Sequence, residues 1–320
     1  MKRRTQKIDW TFWERQVCTC AEAMAHRHRR QTLPIPLGPI ARDRRVHRYV
    51  FDRLPVAGGI AVEENGFVIY VNCEPADAPS WYAKLADESD GGATLPVRAR
   101  FTIAHEIAHT FFYDLSTGPK SLLSQLDAPD LSRLERLCNV GAAQMQISDR
   151  DLRIETELHD ILIPTNLLQM ARRFRVSLVT LVVRLTRFPG WSWRGGAIFI
   201  VSKRGNTESA ERDEQTPRYW VSARAIDGTM RAFLGTTSPR SLPPDASRSL
   251  DRFGLDGGDL PDEVTIPCRV GGVDALQPCG IHCAAVNEDG CFMITMRLSG
   301  QPTRAVLPRV TNIDGAAEVK

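Results

Sequence analysis

Apolar and polar residues alternate in several registers along the chain, and each register predicts a different element. Over residues 9–30, Trp10, Trp13, Val17 and Ala21 recur at three- and four-residue steps, which predicts a helix with one apolar face. The stretch RQTLPIPLGPI follows, and its three prolines each remove a backbone donor and fix φ, so a break is expected there. Two alternating runs in GGIAVEENGFVIYVN then flank Asn65-Gly66, a pair able to take positive φ at a hairpin turn. A polar, glycine-containing loop over about 74–95 leads into a helix over about 97–112. There Ile103, Ala104, Ile107, Ala108, Phe111 and Phe112 wrap most of the circumference, the mark of a buried helix. In residues 130–147, Leu131, Leu134, Cys138 and Ala142 step three and four apart and predict a second helix. A charged stretch, 148–160, intervenes before one or two further helices that end at Phe188-Pro189-Gly190.

Beyond residue 190 the pattern becomes strand-like. The segments GGAIFIVS, RYWVSARAI, TMRAFL, EVTIPCRV, CFMITMRL and RAVLPRV are separated by polar loops at 204–217 and 236–262. No internal repeat is evident. The expectation is an α+β chain with a boundary near 190: a mostly helical front half, 1–190, and a mostly β back half, 191–320.

The front half carries the chemistry. His105-Glu106-x-x-His109 lies in the buried helix, and histidines four apart project from one face, so both can reach one metal ion. Unpaired polar groups in such apolar surroundings would cost several kcal/mol, about 2–7 for a neutral group. A dication held by the two imidazoles removes that cost; hydrogen bonds from two buried histidines to the backbone are the alternative. Catalytic zinc takes three protein ligands and keeps a position for water. Glu135 on the next predicted helix is the best third ligand, and Glu106, pointing beside the metal, sits where a general base belongs.

The segment RFTIAHEIAHTFF, followed about 20 residues later by ERLCNVGAAQMQI, resembles the ImmA/IrrE family of bacterial zinc metallopeptidases. In that family HExxH precedes a helix carrying Glu-x-x-Ala-Asn-x-x-Ala-Ala, whose Glu is the third ligand. The matching positions here are Glu135, Cys138, Asn139, Ala142 and Ala143, and the resemblance covers about residues 45–190. It departs at Gly141, where a bulky apolar residue is usual. It departs again at the Leu-Met-Pro end of that helix, which is either MQIS at 145–148 or a LIP at 162–164 displaced by an insertion around 148–160. The resemblance implies a zincin-like minimal metallopeptidase domain: a small β-sheet or hairpin, the HExxH helix and the Glu-ligand helix. Trailing helices at about 160–190 would form a helix-turn-helix-like subregion, and the β-rich back domain would sense a ligand or recruit substrate.

It further implies one Zn2+ per chain on His105, His109 and Glu135, with Glu106 activating a zinc-bound water for peptide hydrolysis. The substrate would be a regulatory protein, a helix-turn-helix transcriptional repressor, whose cleavage switches on mobile-element or stress genes. Tyr113, Tyr82 and His159 are the candidates for stabilising the oxyanion, and Asn139 for orienting a partner of the metal site. A zinc-stabilised transcriptional regulator or partner-binding protein without proteolysis is the alternative reading.

Composition changes this picture little. A 42% hydrophobic, 25% charged chain of 320 residues is that of a soluble globular protein. The longest apolar run, VSLVTLVV at 176–183, falls short of the roughly 18–20 residues needed to cross a bilayer. The basic N-terminus lacks an apolar secretory region, and eight scattered cysteines form no disulfide framework, so the cytoplasm is the expected compartment. Residues 1–53 hold 13 Lys/Arg against 5 Asp/Glu, which favours a solvated face, with nucleic acid or an acidic partner as the alternative. LLQMARRFRVSLVTL resembles a helix-turn-helix, and Arg172, Arg173, Arg175 and Arg184 are the residues that would meet DNA, a function not favoured here. Cys268, Cys279, Cys283 and Cys291, with His282 between them, lack paired metal-ligand spacing and read as free thiols rather than a second metal site.

Overall fold

A computed structural model describes residues 8–30, 33–87, 90–123, 126–188, 196–203, 219–226, 263–270, 273–287 and 291–298. It separates into two compact units, one of residues 1–153 and 167–189, the other of 154–166 and 190–320. The architecture is mixed α and β.

The first unit opens with α1 (Trp10–His28), which Asp9 caps by accepting from the N–H groups of Thr11 and Phe12. The proline-rich stretch then yields a short helix where a break was expected, α2 (Leu37–Asp43). Its internal proline, Pro39, falls in the first turn, where a backbone N–H has no partner within the helix in any case. The neighbouring N–H groups of Leu37 and Gly38 both donate to the Gly91 carbonyl at 2.9 Å.

Three strands follow, β1 (Val46–Asp52), β2 (Gly58–Glu63) and β3 (Gly66–Asn72), in the order β1-β3-β2. The β2–β3 hairpin forms where expected, but its turn differs from the expectation. Glu63 pairs with Gly66, so Glu64 and Asn65 form the turn, and neither of them nor Gly66 takes positive φ. Gly66 is needed for proximity instead: a Cβ there would lie 2.1 Å from the Arg45 carbonyl oxygen, where Phe67 N–H bonds to enter the parallel β1–β3 ladder. The supposed loop before the metal-motif helix contains α3 (Ala78–Ala86).

The metal-motif helix is α4 (Val97–His109), continued by a 3-10 turn at Thr110–Phe112 and a two-stranded ribbon, β4 (Tyr113–Asp114) and β5 (Lys120–Ser121). Its start is anchored by fully buried Arg100, which donates to the carbonyls of Gly92 (2.9 Å) and Ile35 (3.2 Å). The second expected helix is α5 (Ala128–Gln146), capped by Asp127. The charged stretch after it is also helical, α6 (Asp149–Leu158), and α7 (Pro164–Phe174) and α8 (Leu178–Leu185) follow.

The core lies where α1, α4 and α5 meet the sheet: Val17, Ala21 and Ala25 join Ile103, Ile107, Cys138, Ala142, Phe67, Ile69 and Val71 in one buried cluster. Gly141 is explained at this junction. A Cβ there would lie 2.9 Å from Val17 Cγ1 and 3.0 Å from Ala108 Cβ, so α1 occupies the space a larger residue would fill.

The second unit carries a five-stranded antiparallel sheet of β6 (Gly196–Lys203), β7 (Tyr219–Ile226), β8 (Glu263–Val270), β9 (Val273–Asn287) and β10 (Cys291–Leu298), ordered β7-β6-β10-β9-β8. β9 escaped the sequence pattern. Ala197–Val201 are buried on both faces of β6, and Thr295 Oγ1 donates to the Leu162 carbonyl at 2.7 Å. The strand-like TMRAFL and RAVLPRV lie outside the described residues, as do the side chains of Cys268, Cys279, Cys283 and Cys291.

Candidate metal centre

α5 packs across α4 so that three side chains converge. His105 and His109, one turn apart on α4, bring their Nε2 atoms within 3.2 Å of each other. Glu135 reaches over from α5, with Oε2 3.0 Å from His105 Nε2 and Oε1 3.5 Å from His109 Nε2. Among the described residues this is the one group of three His, Cys, Asp or Glu side chains whose donor atoms lie within 4.8 Å of one another.

The donor set can hold a cation. Asn139 Oδ1 lies 2.9 Å from His105 Nδ1; an amide oxygen can only accept, so the ring proton sits on Nδ1 and the neutral ring presents a lone pair at Nε2. That lone pair faces a carboxylate oxygen and a second imidazole nitrogen. Acceptors directed at acceptors repel unless a proton or a metal ion lies between them. The separations also suit ligands each about 2.0–2.2 Å from one ion. Two imidazoles and a carboxylate are a catalytic rather than a closed structural set for zinc. Burial, then the neighbouring His105, push the His109 imidazole down to about 4, so it stays neutral and able to ligate.

Glu106 is buried beside the cluster. Burial first, and the Glu135 charge second, raise its carboxyl to about 8. No hydrogen bond holds that carboxylate among the described residues. It lines a cleft of about 460 Å³ together with His105, His109, Glu135 and Asn139. The other walls are Ala57, Gly58, Gly59 and Ile60 along β2, and Phe101 and Thr102 on α4. Sequence reasoning did not find these wall residues; short apolar and glycine positions carry no chemical signature.

The remaining predicted site residues fall elsewhere or take structural tasks. The Tyr82 hydroxyl donates to the Tyr49 carbonyl (2.9 Å) and accepts from the Phe51 N–H (3.4 Å) on β1, so it is spent on the sheet. Tyr113 packs edge-on against Phe67, centroids 5.1 Å apart. Neither is among the residues of the cleft wall. His159 belongs to the other unit, where it lies 3.7 Å from Glu155. Asn139 is at the centre, on the back of His105. Arg44, unremarked in the sequence, secures the end of the metal-motif helix by donating to the Thr110 carbonyl (2.6 Å) and hydroxyl (3.0 Å).

The basic residues at the end of α1 are used internally. Arg27 and His28 both contact Asp43, at 3.0 and 2.7 Å, and Arg29 contacts Asp151 at 2.6 Å. In the helix-turn-helix-like segment Arg175 adopts φ 56° in the turn and donates to the carbonyls of Thr94 and Leu95. Arg184, 2% exposed, bonds the Ile147 carbonyl and Asp149. Two of the four arginines named for DNA contact therefore face inward.

Comparison with known proteins places a family on this site. Residues 95–186 match the peptidase family M78 model described as the IrrE N-terminal-like domain. The chain carries an IrrE-like peptidase domain. That domain holds all three converging side chains and Glu106. A Mycobacterium tuberculosis transcriptional regulator superposes with a TM-score of 0.43 at 17% identity, covering 90% of this chain and 79% of that one, too loose an overlay to carry an argument. No curated protein matches the chain significantly. Among the described residues, no helix is long and apolar enough to cross a membrane.

Proposed function

We propose that the chain is a zinc-dependent, site-specific endopeptidase of the cytoplasm. In this reading His105, His109 and Glu135 hold the zinc, and Glu106 is the general base. The observation that carries it is Glu106 itself: a buried carboxylate in the cleft wall, unclaimed by any hydrogen bond among the described residues and adjacent to the three donors. A metal site that served structure alone would have no use for it.

When bound, zinc supplies Lewis acidity for the peptide carbonyl and activates water for attack. Glu106 takes the proton from the attacking water and delivers it to the leaving amine nitrogen, so one water is consumed for each bond cut. Asn139 holds the His105 ring in the required tautomer. Phe101 and Ile60 give the cleft apolar walls. β2 supports an extended segment: it is an edge strand, and Asn72 N–H donates to the Ala57 carbonyl. The alternation of an antiparallel ladder then directs the N–H and C=O groups of Gly58 and Ile60 away from β3, towards the cleft.

The substrate in this reading is a regulatory protein, a helix-turn-helix transcriptional repressor, as the family resemblance implies; cutting it would release mobile-element or stress genes. In the same reading residues 191–320, which form a compact unit together with 154–166, are a sensing or recruiting domain. The test is Glu106→Gln incubated with such a repressor encoded beside this chain. Zinc should stay near one per chain while cleavage falls about 10²- to 10⁴-fold. Undiminished cleavage by Glu106→Gln would sink the peptidase reading and leave a zinc-organised regulator.

A further inference from the structure

Two adjacent glycines of β2, Gly58 and Gly59, line the cleft, and packing requires only one of them to be glycine. Neither takes a positive φ, so conformational freedom does not explain either residue. A Cβ on Gly59 would meet no atom within 4 Å. A Cβ on Gly58 would lie 2.4 Å from Thr102 Cγ2, 2.8 Å from the Tyr70 carbonyl oxygen and 3.3 Å from Glu106 Oε1. The first two obstacles cannot swing aside. Thr102 is β-branched, buried and fixed on α4, and the Tyr70 oxygen belongs to the β2–β3 ladder. Position 58 therefore demands the absence of a side chain, and that absence lets the edge strand touch the helix one turn before the metal motif.

Glu106 has three rotatable bonds and, among the described residues, no hydrogen bond to fix its carboxylate. Only packing can hold its orientation, and the Gly58 backbone is the wall on the strand side. We propose that Gly58 is a positioning residue for Glu106: seated against Thr102, its bare backbone sets where the carboxylate stands in the cleft. The catalytic consequence rests on the peptidase reading; the geometric claim does not.

The experiment uses the zinc-loaded full chain as wild type, Gly58→Ala, Gly58→Ala/Thr102→Ser and Ala61→Ser. Each is crystallised and assayed on β-casein as an unfolded probe. Zinc content should hold in all four. In Gly58→Ala the Glu106 carboxylate should move by on the order of 1 Å, and kcat should fall about 10- to 100-fold with KM within about threefold. Thr102→Ser removes the nearer methyl and should restore part of both the position and the rate. Ala61→Ser controls for enlarging a side chain of the same strand outside the cleft wall. A Glu106 carboxylate that stays in place in Gly58→Ala overturns the proposal. So does a loss confined to KM, or an equal loss in Ala61→Ser. If Gly58→Ala alone does not fold, the double variant decides by the same criteria. If wild type leaves casein intact, the crystal structures decide the positioning claim, and the peptidase reading is judged separately with Glu106→Gln.

Discussion

The two edges of the three-stranded sheet are treated in opposite ways. On β1, the outward-facing Tyr49 carbonyl and Phe51 N–H are both taken by the Tyr82 hydroxyl. α3 lays the rings of Trp81 and Tyr82 against Phe51, at centroid distances of 5.5 and 4.7 Å. On β2, Gly58 and Ile60 line the same cleft as His105, His109 and Glu135, flanked by Ala57 and Gly59 with no side chain larger than a methyl. An unpaired edge invites another chain to pair with it, and proteins ordinarily blunt it. Among the described residues one edge is blunted and the other is left bare beside two histidines and two carboxylates, which supports the proposal that a substrate chain pairs with the bare edge.

Three substitutions test that contrast, the largest effect first. Asn139→Leu removes the acceptor that fixes His105 and should weaken zinc affinity about 10- to 100-fold, measured by chelator competition; unchanged affinity would mean that the tautomer is fixed by something else. Ile60→Pro deletes an outward N–H while sparing the ladder to β3, the one kind of strand position where proline is tolerated. It should lower cleavage about tenfold relative to Ile60→Ala, which keeps that N–H. Equal rates for the two would show that the open edge is not used. Tyr82→Phe should cost about 1 kcal/mol of stability, a shift of roughly 2–4 °C in Tm, with zinc content and cleavage unaltered. Loss of cleavage in Tyr82→Phe would return that hydroxyl to the reaction and erase the contrast.

The helices of the metal centre were legible because their signals are local: apolar residues at three- and four-residue steps, and histidines at a spacing only a helix brings together. What the pattern missed depends on partners distant in sequence. β1 shows no clean alternation because it pairs in parallel with β3 on one side and is sealed by α3 on the other. α6 was hidden by its charge, since a helix with little apolar surface reads as a loop. Gly66 was assigned to a turn when its task is to let Arg45 approach. Tyr82, chosen for a hydroxyl that could meet an oxyanion, meets backbone atoms instead. Residue type announced which groups could do chemistry, and only the tertiary arrangement said which were free to do it.

The tight seat of α1 against Gly141 has a practical consequence. The family match begins at residue 95, yet Val17, Ala21 and Ala25 close the core over the Glu135 helix, and β2 forms a wall of the cleft. A fragment cut at the family boundary would keep every metal donor while exposing the apolar underside of its own scaffold. Such a fragment should aggregate rather than fold, so the smallest autonomous form of the peptidase unit must retain the Asp9 cap and the helix it begins.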